Sequence, residues 1–302
     1  MHYSVIDIGS NSVRHLSAAV EDGKIEGDKR LIVTRLGEGV NETKRLTERA
    51  IRDTIAAIAE FKEEAVAHGA EAIYLMATSA VRDATNQADL LDGVRAATGL
   101  NIEVLSGERE AVVGCLGVQK GLAERKSILI VDIGGGSTEF IVFDDEIRHA
   151  SSADVGAVRM TGKHIFNDPI LEDEKQAVIE DVKAIIRPHL EAVLGYRFEE
   201  IVGIGGTATT FGAIDLEMAV YDRHKIHNHS VYLESVKAMN ERFQSLDLEA
   251  RKQIVGLEPK RADVITAGGL ILQVVMEVLE QRYFRVSDYD NLEGFLAEKL
   301  GL

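Results

Sequence analysis

Apolar positions along this chain follow two rhythms, and the alternation of the two sets its architecture. Short apolar runs bounded by Gly, Ser and Asn read as strands, whereas apolar residues at every third or fourth position read as helices. Residues 3–8 and 13–20 are predicted strands around a Gly/Ser/Asn turn. Thr47 opens a helix with Ile51, Ile55 and Ile58 on one face, and Gly69 closes it. Residues 72–77 and 102–105 read as further strands, followed by a helix from about 108 to 122. The polar stretch 123–127 interrupts the pattern and is the predicted linker. Beyond it come strands at 128–132 and 139–143 around a second glycine turn, a long helix after Leu171 and a strand at 200–204. An apolar helix over 261–279 and a terminal helix over 291–300 complete the reading. Strands and helices that alternate in this way argue for an α/β fold.

One pattern repeats over a long distance. Val5-Ile-Asp-Ile-Gly-Ser-Asn-Ser12 and Ile130-Val-Asp-Ile-Gly-Gly-Gly-Ser137 agree at the Asp, the Ile, the first Gly and the last Ser. Each is an apolar strand ending in Asp, then a glycine turn, then a second strand. Two such matches at corresponding places in two halves imply a duplicated unit, with the turns expected to face each other across a cleft.

Composition narrows the function. The 302 residues are 45% hydrophobic and 28% charged, ordinary for a globular chain of one or two domains. A net charge of −16 excludes a protein that grips nucleic acid through a basic face. A polyanion still fits an acidic chain if backbone amides, a few arginines and a divalent cation set the local field. Cys115 is the single cysteine, so no intrachain disulfide forms. With no cationic leader and no long apolar run, the expectation is a cytoplasmic protein without membrane contact.

The candidate chemistry sits at the turns. In Asp132-Ile-Gly-Gly-Gly-Ser-Thr-Glu139, Gly134, Gly135 and Gly136 let the backbone come close to a ligand, and Ser137 adds a hydroxyl. Asp132 and Glu139 bracket the turn with hard oxygen ligands suited to Mg²⁺. In the first turn Gly9, Ser10, Asn11 and Ser12 offer a second phosphate cradle with Arg14 nearby, and Asp7 joins the metal candidates. A third turn, with Gly205, Gly206 and Thr207, is either a ligand contact or a close-packed strand–helix junction; it fits neither the dinucleotide fingerprint nor a Walker A loop. Arg82 and Arg159 can fork onto phosphate but read alone as surface arginines. Glu110, in the first turn of a helix, reads alone as a dipole partner. His224, His227 and His229 lack the cysteine or carboxylate spacing of a metal site and read as loop histidines.

Taken in order, DIGSNSVR, RLGEGV, ATSAVRDA, LSGEREA, DIGGGSTE, GAVRMT, GIGGTATT, YDRHKIH, RADVITAGG and VSD with Leu292-Glu-Gly294 resemble the exopolyphosphatase/guanosine pentaphosphate phosphohydrolase family. The resemblance covers nearly the whole chain. It implies two ribonuclease-H-like domains of the actin, sugar-kinase and heat-shock-chaperone superfamily around a central cleft, drawn here at 1–124 and 125–302, with the last helix free to pack back on the first domain. It implies Glu110 as catalytic base, Arg82 and Arg159 as phosphate ligands, the three turns as phosphate loops, and Mg²⁺ on Asp132 and Glu139. Inorganic polyphosphate is the expected substrate and pppGpp the alternative, while K⁺ activation and a homodimer stay open. Two departures stand out: Arg109 precedes Glu110 where many members carry a second acid, and the chain stops at Leu302 without the helical domain of longer members. The second departure predicts low processivity on very long chains. Rival classes are a kinase of the same superfamily, which would need an acceptor pocket, and a non-catalytic nucleotide-binding protein, which would need no base at Glu110.

Overall fold

The computed structural model describes residues 1–122 and 127–302, so most of the predicted linker lies outside the described residues. The chain divides into two compact units, Met1–Lys120 with Tyr289–Leu302, and Gly121–Asp288. The boundary read from the sequence was 124/125, with the last helix free to pack back on the first domain, and Tyr289–Leu302 groups with the first unit.

The first unit is built on a five-stranded sheet in the order β3-β2-β1-β4-β5. Its strands are β1 (His2–Ile8), β2 (Ser12–Glu21), β3 (Lys24–Val33), β4 (Ala72–Ala77) and β5 (Ile102–Val104). β1, β2 and β3 form an antiparallel meander, and β4 and β5 add parallel to β1. Both faces of this sheet are buried. Ile6 and Ile8 of β1 pack with Ile58 and Phe61 of the helix Glu48–Ala67, whereas Val5 packs with Phe295 and Leu296 of the terminal helix Asn291–Leu300. The first helix starts where the sequence says it should, because the Thr47 hydroxyl accepts from the Ala50 amide at 3.2 Å.

The second unit repeats the plan with six strands, ordered β10-β11-β9-β6-β7-β8. They are β6 (Ile128–Ile133), β7 (Thr138–Phe143), β8 (Ile147–Ala153), β9 (Glu200–Ile204), β10 (Ser230–Tyr232) and β11 (Tyr283–Val286). Again a three-strand meander carries parallel strands on the side of its first member. The helix Glu172–Val193 buries Val178, Val182, Ile186 and Leu190, spaced at about one turn, in the same core as Phe140 and Val142 of β7. The apolar helix begins later than predicted, at Ile265, after a short 3₁₀ turn over Pro259–Arg261. Strands β3, β8, β10 and β11 and the helices Gln87–Thr98, Ala157–His164 and Leu233–Ser245 were not foreseen. Strands β3 and β8 are sheet edges with half-exposed, polar-rich sequences that carry little apolar alternation. Among the described residues no helix is long and apolar enough to cross a membrane.

Candidate functional site

In the first unit, the turn from β1 to β2 is closed by the Gly9 amide donating to Ser12 O at 3.1 Å. Its carbonyls are held by the chain after β3: Gly37 donates to Ser10 O at 2.7 Å, and Thr34 and Arg35 donate to Asn11 O at 3.1 and 2.9 Å. The Ser10 hydroxyl meets that of Ser79 at 3.0 Å. With the carbonyls occupied, the Ser10 and Asn11 amides find no partner among the described residues. Amides fixed in this way form an anion-binding concavity.

Asp7 and Arg14 are register partners across this hairpin, which puts their side chains on one face about 5 Å apart at Cβ. Arg14 donates to Asp7 Oδ2 from Nε at 3.0 Å and from Nη2 at 2.5 Å, and its Nη1 reaches Asp290 Oδ2 at 2.6 Å. Lys29 completes the cluster at 2.9 Å from Glu293 and 3.4 Å from Asp290. Burial raises the Asp7 carboxyl against the pull of Arg14, and its Oδ1 is enclosed without a partner. Burial acts on Asp290 too, but there Arg14 and Lys29 prevail and hold the carboxyl down at about 2. Asp7 therefore sits in an ion network, a different setting from the other two metal candidates.

Glu110 lies in the first turn of the helix Gly107–Gly121 and is only 6% exposed. Arg82, at the end of the short helix Ser79–Arg82, donates to Glu110 Oε2 at 3.2 Å and to Leu105 O at 3.0 Å. The structure thus brings the predicted base and a predicted phosphate ligand into contact. Arg109 turns the other way and pairs with Glu298 at 2.7 Å and Glu103 at 2.5 Å.

In the second unit the turn from β6 to β7 has the same closure, with Gly134 N donating to Ser137 O at 3.0 Å. Here the helix Ala157–His164 braces it: Ala157 donates to Gly134 O at 2.9 Å, and Val158 and Arg159 to Gly135 O at 2.8 and 3.0 Å. The Arg159 Nε donates to Gly136 O at 2.6 Å, so this arginine stiffens the loop that its other nitrogens flank. The Gly135 and Gly136 amides, like those of Ser10 and Asn11, have no partner among the described residues. Asp132 and Glu139 are register partners, 6% and 1% exposed. One Glu139 oxygen accepts from Ser152 at 2.7 Å. Carboxylates on facing register positions are hard oxygen ligands suited to a divalent cation.

A model of the Ppx/GppA phosphatase family matches residues 26–302. The chain belongs to this family. It is 31% identical over 315 residues to exopolyphosphatase 2 of Mycobacterium tuberculosis, covering 99% of this chain and 98% of that protein. It is 33% identical over 307 residues to the bifunctional 3-dehydroquinate synthase/phosphatase of Fusobacterium nucleatum; the match covers 97% of this chain but 46%, about half, of that protein. The crystal structure of the Aquifex aeolicus Ppx/GppA family member superposes with a TM-score of 0.81 at 33% identity, covering 99% of this chain and 97% of that one. The two-domain, actin-like α/β fold implied by the turn motifs is that of the family.

The remaining Ppx/GppA motifs fall around these turns or brace the frame. Gly205 opens the helix Gly205–Asp215 at φ +75°, and a Cβ there would lie 2.2 Å from Asp132 Oδ1. Glycine is therefore required both for the left-handed backbone and for room beside Asp132. Thr207 donates to Ile133 O at 3.1 Å, which is a packing role, and Gly206 O accepts from Arg261 Nη1 at 2.7 Å. Arg261, beside the third turn, was missed; its only signal was its place in RADVITAGG. Of the three histidines, His224 is exposed, while His227 Nε2 meets Gly121 O at 2.9 Å and His229 meets Asp215 at 2.7 Å. Among the described residues no three His, Cys, Asp or Glu side chains group as a metal site. The Asp132–Glu139 pair nevertheless suits Mg²⁺, which takes one or two protein carboxylates and completes its shell with phosphate oxygens and water.

Proposed function

We propose that this protein is an exopolyphosphatase that hydrolyses the terminal phosphoanhydride bond of inorganic polyphosphate and releases orthophosphate. It is an enzyme of the phosphoanhydride hydrolase type that its family comprises. The observation that carries the reading is the buried Asp132–Glu139 register pair on the hairpin whose turn leaves the Gly135 and Gly136 amides without a partner among the described residues. Acceptor-only carboxylates and donor-only amides on one hairpin suit a magnesium phosphate better than a neutral ligand.

Within the second unit the Gly135 and Gly136 amides, with Arg159 beside the turn, would hold a phosphate; within the first unit Arg82 lies against Glu110. Asp132 and Glu139 would hold Mg²⁺, which when bound neutralises charge growing on the phosphate oxygens. Glu110 orients a water and takes its proton as the oxygen bonds to the terminal phosphorus. The bridging P–O bond breaks, orthophosphate leaves, and the shortened chain keeps the bridging oxygen. Positioning and charge supply most of such a rate, and the base adds about 10²–10⁴-fold. The protein is placed in the cytoplasm, in keeping with its one buried, unpaired cysteine, Cys115.

Orthophosphate release from polyphosphate of defined lengths, pppGpp and ATP, with Mg²⁺ and then with excess EDTA, tests this reading. Polyphosphate should give the highest kcat/KM, and EDTA should abolish release. Glu110→Gln should lower kcat by at least about 10²-fold while the fold survives. A marked preference for pppGpp would replace the substrate, and full activity in EDTA would remove the metal.

A further inference from the structure

The terminal helix Asn291–Leu300 presents Asp290, Gly294 and Glu298 at four-residue spacing, so they form one ridge along its side. That ridge runs against the helix that carries Glu110. A Cβ on Gly294 would lie 1.7 Å from Val113 O, and one on Gly117 would lie 1.8 Å from Asp290 O. The two backbones therefore touch, and this contact fixes how closely the helices approach. One turn from Val113 towards the N-terminus, Arg109 donates to Glu298 through Nε at 3.3 Å and Nη2 at 2.7 Å, a two-pronged fork. Its remaining Nη1 holds Glu103 of β5 at 2.5 Å, and Lys299 of the terminal helix reaches the same glutamate at 2.5 Å.

The glycine contact alone would leave the first turn of the Glu110 helix able to rock. The guanidinium fork is directional, and it is anchored on the residue next to Glu110. We infer that the Arg109–Glu298 pair makes both residues positioning residues for Glu110, with the terminal helix as the fixed rail against which the base is aimed. The inference rests on Glu110 being the base. It also accounts for the departure at Arg109: an acid at this place could not bind Glu298, so this chain aims its base through a contact of its own.

Partly exposed ion pairs contribute little to global stability, and this one is 41% and 28% exposed at its two side chains. A positioning role therefore separates from a structural one. The experiment measures kcat, KM and melting temperature on the full chain, with polyphosphate and Mg²⁺, for Arg109→Gln, Glu298→Gln and the charge-exchanged R109E/E298R, all in a Glu103→Gln parent so that the exchange does not set two acids side by side. Glu108→Gln, at an exposed position in the same helical turn, is the control expected to leave activity unchanged. Each single variant should lose about tenfold in kcat, a fraction of the roughly 10²-fold that an ångström of misplacement costs, with KM within about twofold. Exchange of the charges should restore kcat to within about threefold of the parent. Single variants that keep kcat, or a loss that the exchange does not repair, would overturn the inference. If a single variant melts below the assay temperature, the exchanged protein alone decides: near-parental kcat supports the rail, and a lost kcat refutes it. Glu110→Gln separates the two levels, because activity surviving in that variant removes the base itself, and this inference with it.

Discussion

The two hairpin turns share a backbone closure and differ in the residue that stands opposite the acid. In both, the first glycine amide closes the turn on a serine carbonyl, at 3.1 Å in the first unit and 3.0 Å in the second. In both, a later segment holds the turn carbonyls, and two amides are left without a partner among the described residues. Opposite Asp7 stands Arg14, whereas opposite Asp132 stands Glu139. The first acid is thereby neutralised by its own hairpin and tied to the terminal helix through Asp290. The second is doubled into a pair of negative charges. One duplicated frame thus holds two settings for its acid, an ion pair with Arg14 in the first unit and a second carboxylate at Glu139 in the second. The lesson is that duplication fixes where a turn lies, and the register partner of its acid decides what the turn is for.

The largest effect should come from removing the neutralising partner. Arg14→Gln would leave Asp7 and Asp290, both 3% exposed, without their shared arginine, with Lys29 3.4 Å from Asp290. Removing one member of a buried pair costs about 3–5 kcal/mol, and the partial exposure of Arg14 reduces this to about 2–3 kcal/mol. Chemical denaturation would read the loss. If the first turn is a support and not a metal site, the Mg²⁺ concentration for half-maximal activity should stay within about twofold. A large rise in that concentration would erase the distinction between the two turns.

The converse change sharpens the comparison from the other side. Glu139→Gln keeps the shape and the Ser152 contact but removes one charge of the pair. Stability should change little, because the side-chain volume and the Ser152 contact are kept. The Mg²⁺ requirement should rise at least about tenfold, equivalent to about 1.4 kcal/mol of binding. An unchanged magnesium titration would show that the pair is not where the metal binds.

Much of this was legible in the chain, for physical reasons that can be named. The Asp-turn motifs are local, so strand, turn and strand appear together within about ten residues, and the repeat at 130–137 made the duplication visible. Aligning the two turns also opposes Arg14 to Glu139, which is the signal that Asp7 and Asp132 have different surroundings. Edge strands β3 and β8 were hidden because an edge needs no continuous apolar face. The Arg82–Glu110 contact joins residues 28 apart, and the Arg109–Glu298 contact joins residues 189 apart. No periodicity reports such pairs. The motif order located Glu110 and Arg82 by resemblance, but their contact is a product of tertiary packing.

The same alignment yields the smallest and most specific prediction. One residue beyond Arg14 and Glu139, the equivalent positions hold His15 and Phe140. In the first unit His15 on the strand stacks on Phe61 of the covering helix, with centroids 4.8 Å apart. In the second the roles are exchanged, and Phe140 on the strand stacks on His189 of its helix at 6.1 Å. His15 is 2% exposed, meets Ser4 Oγ at 2.8 Å and faces Glu64 at 3.4 Å. Burial pushes its pKa down to about 4, assisted by Arg30, His68 and His2. His189 is shifted the same way by burial, but it is only partly enclosed. A depressed histidine stays neutral in the folded state while the unfolded chain binds a proton below about 6.5. Its contribution to stability is therefore complete above about pH 6.5 and is lost as pH falls towards 4. The slope should approach about 1 kcal/mol per pH unit in the middle of that window. The double variant S4A/H15F, which gives the strand an aromatic like its counterpart and removes the serine left without a partner, should lose that slope. Denaturation midpoints of parent and variant at pH 6.5, 5.5 and 4.5 decide the matter, because every other titrating group is common to both. Parallel curves would mean that His15 titrates normally and that the exchanged aromatic pairs are equivalent after all.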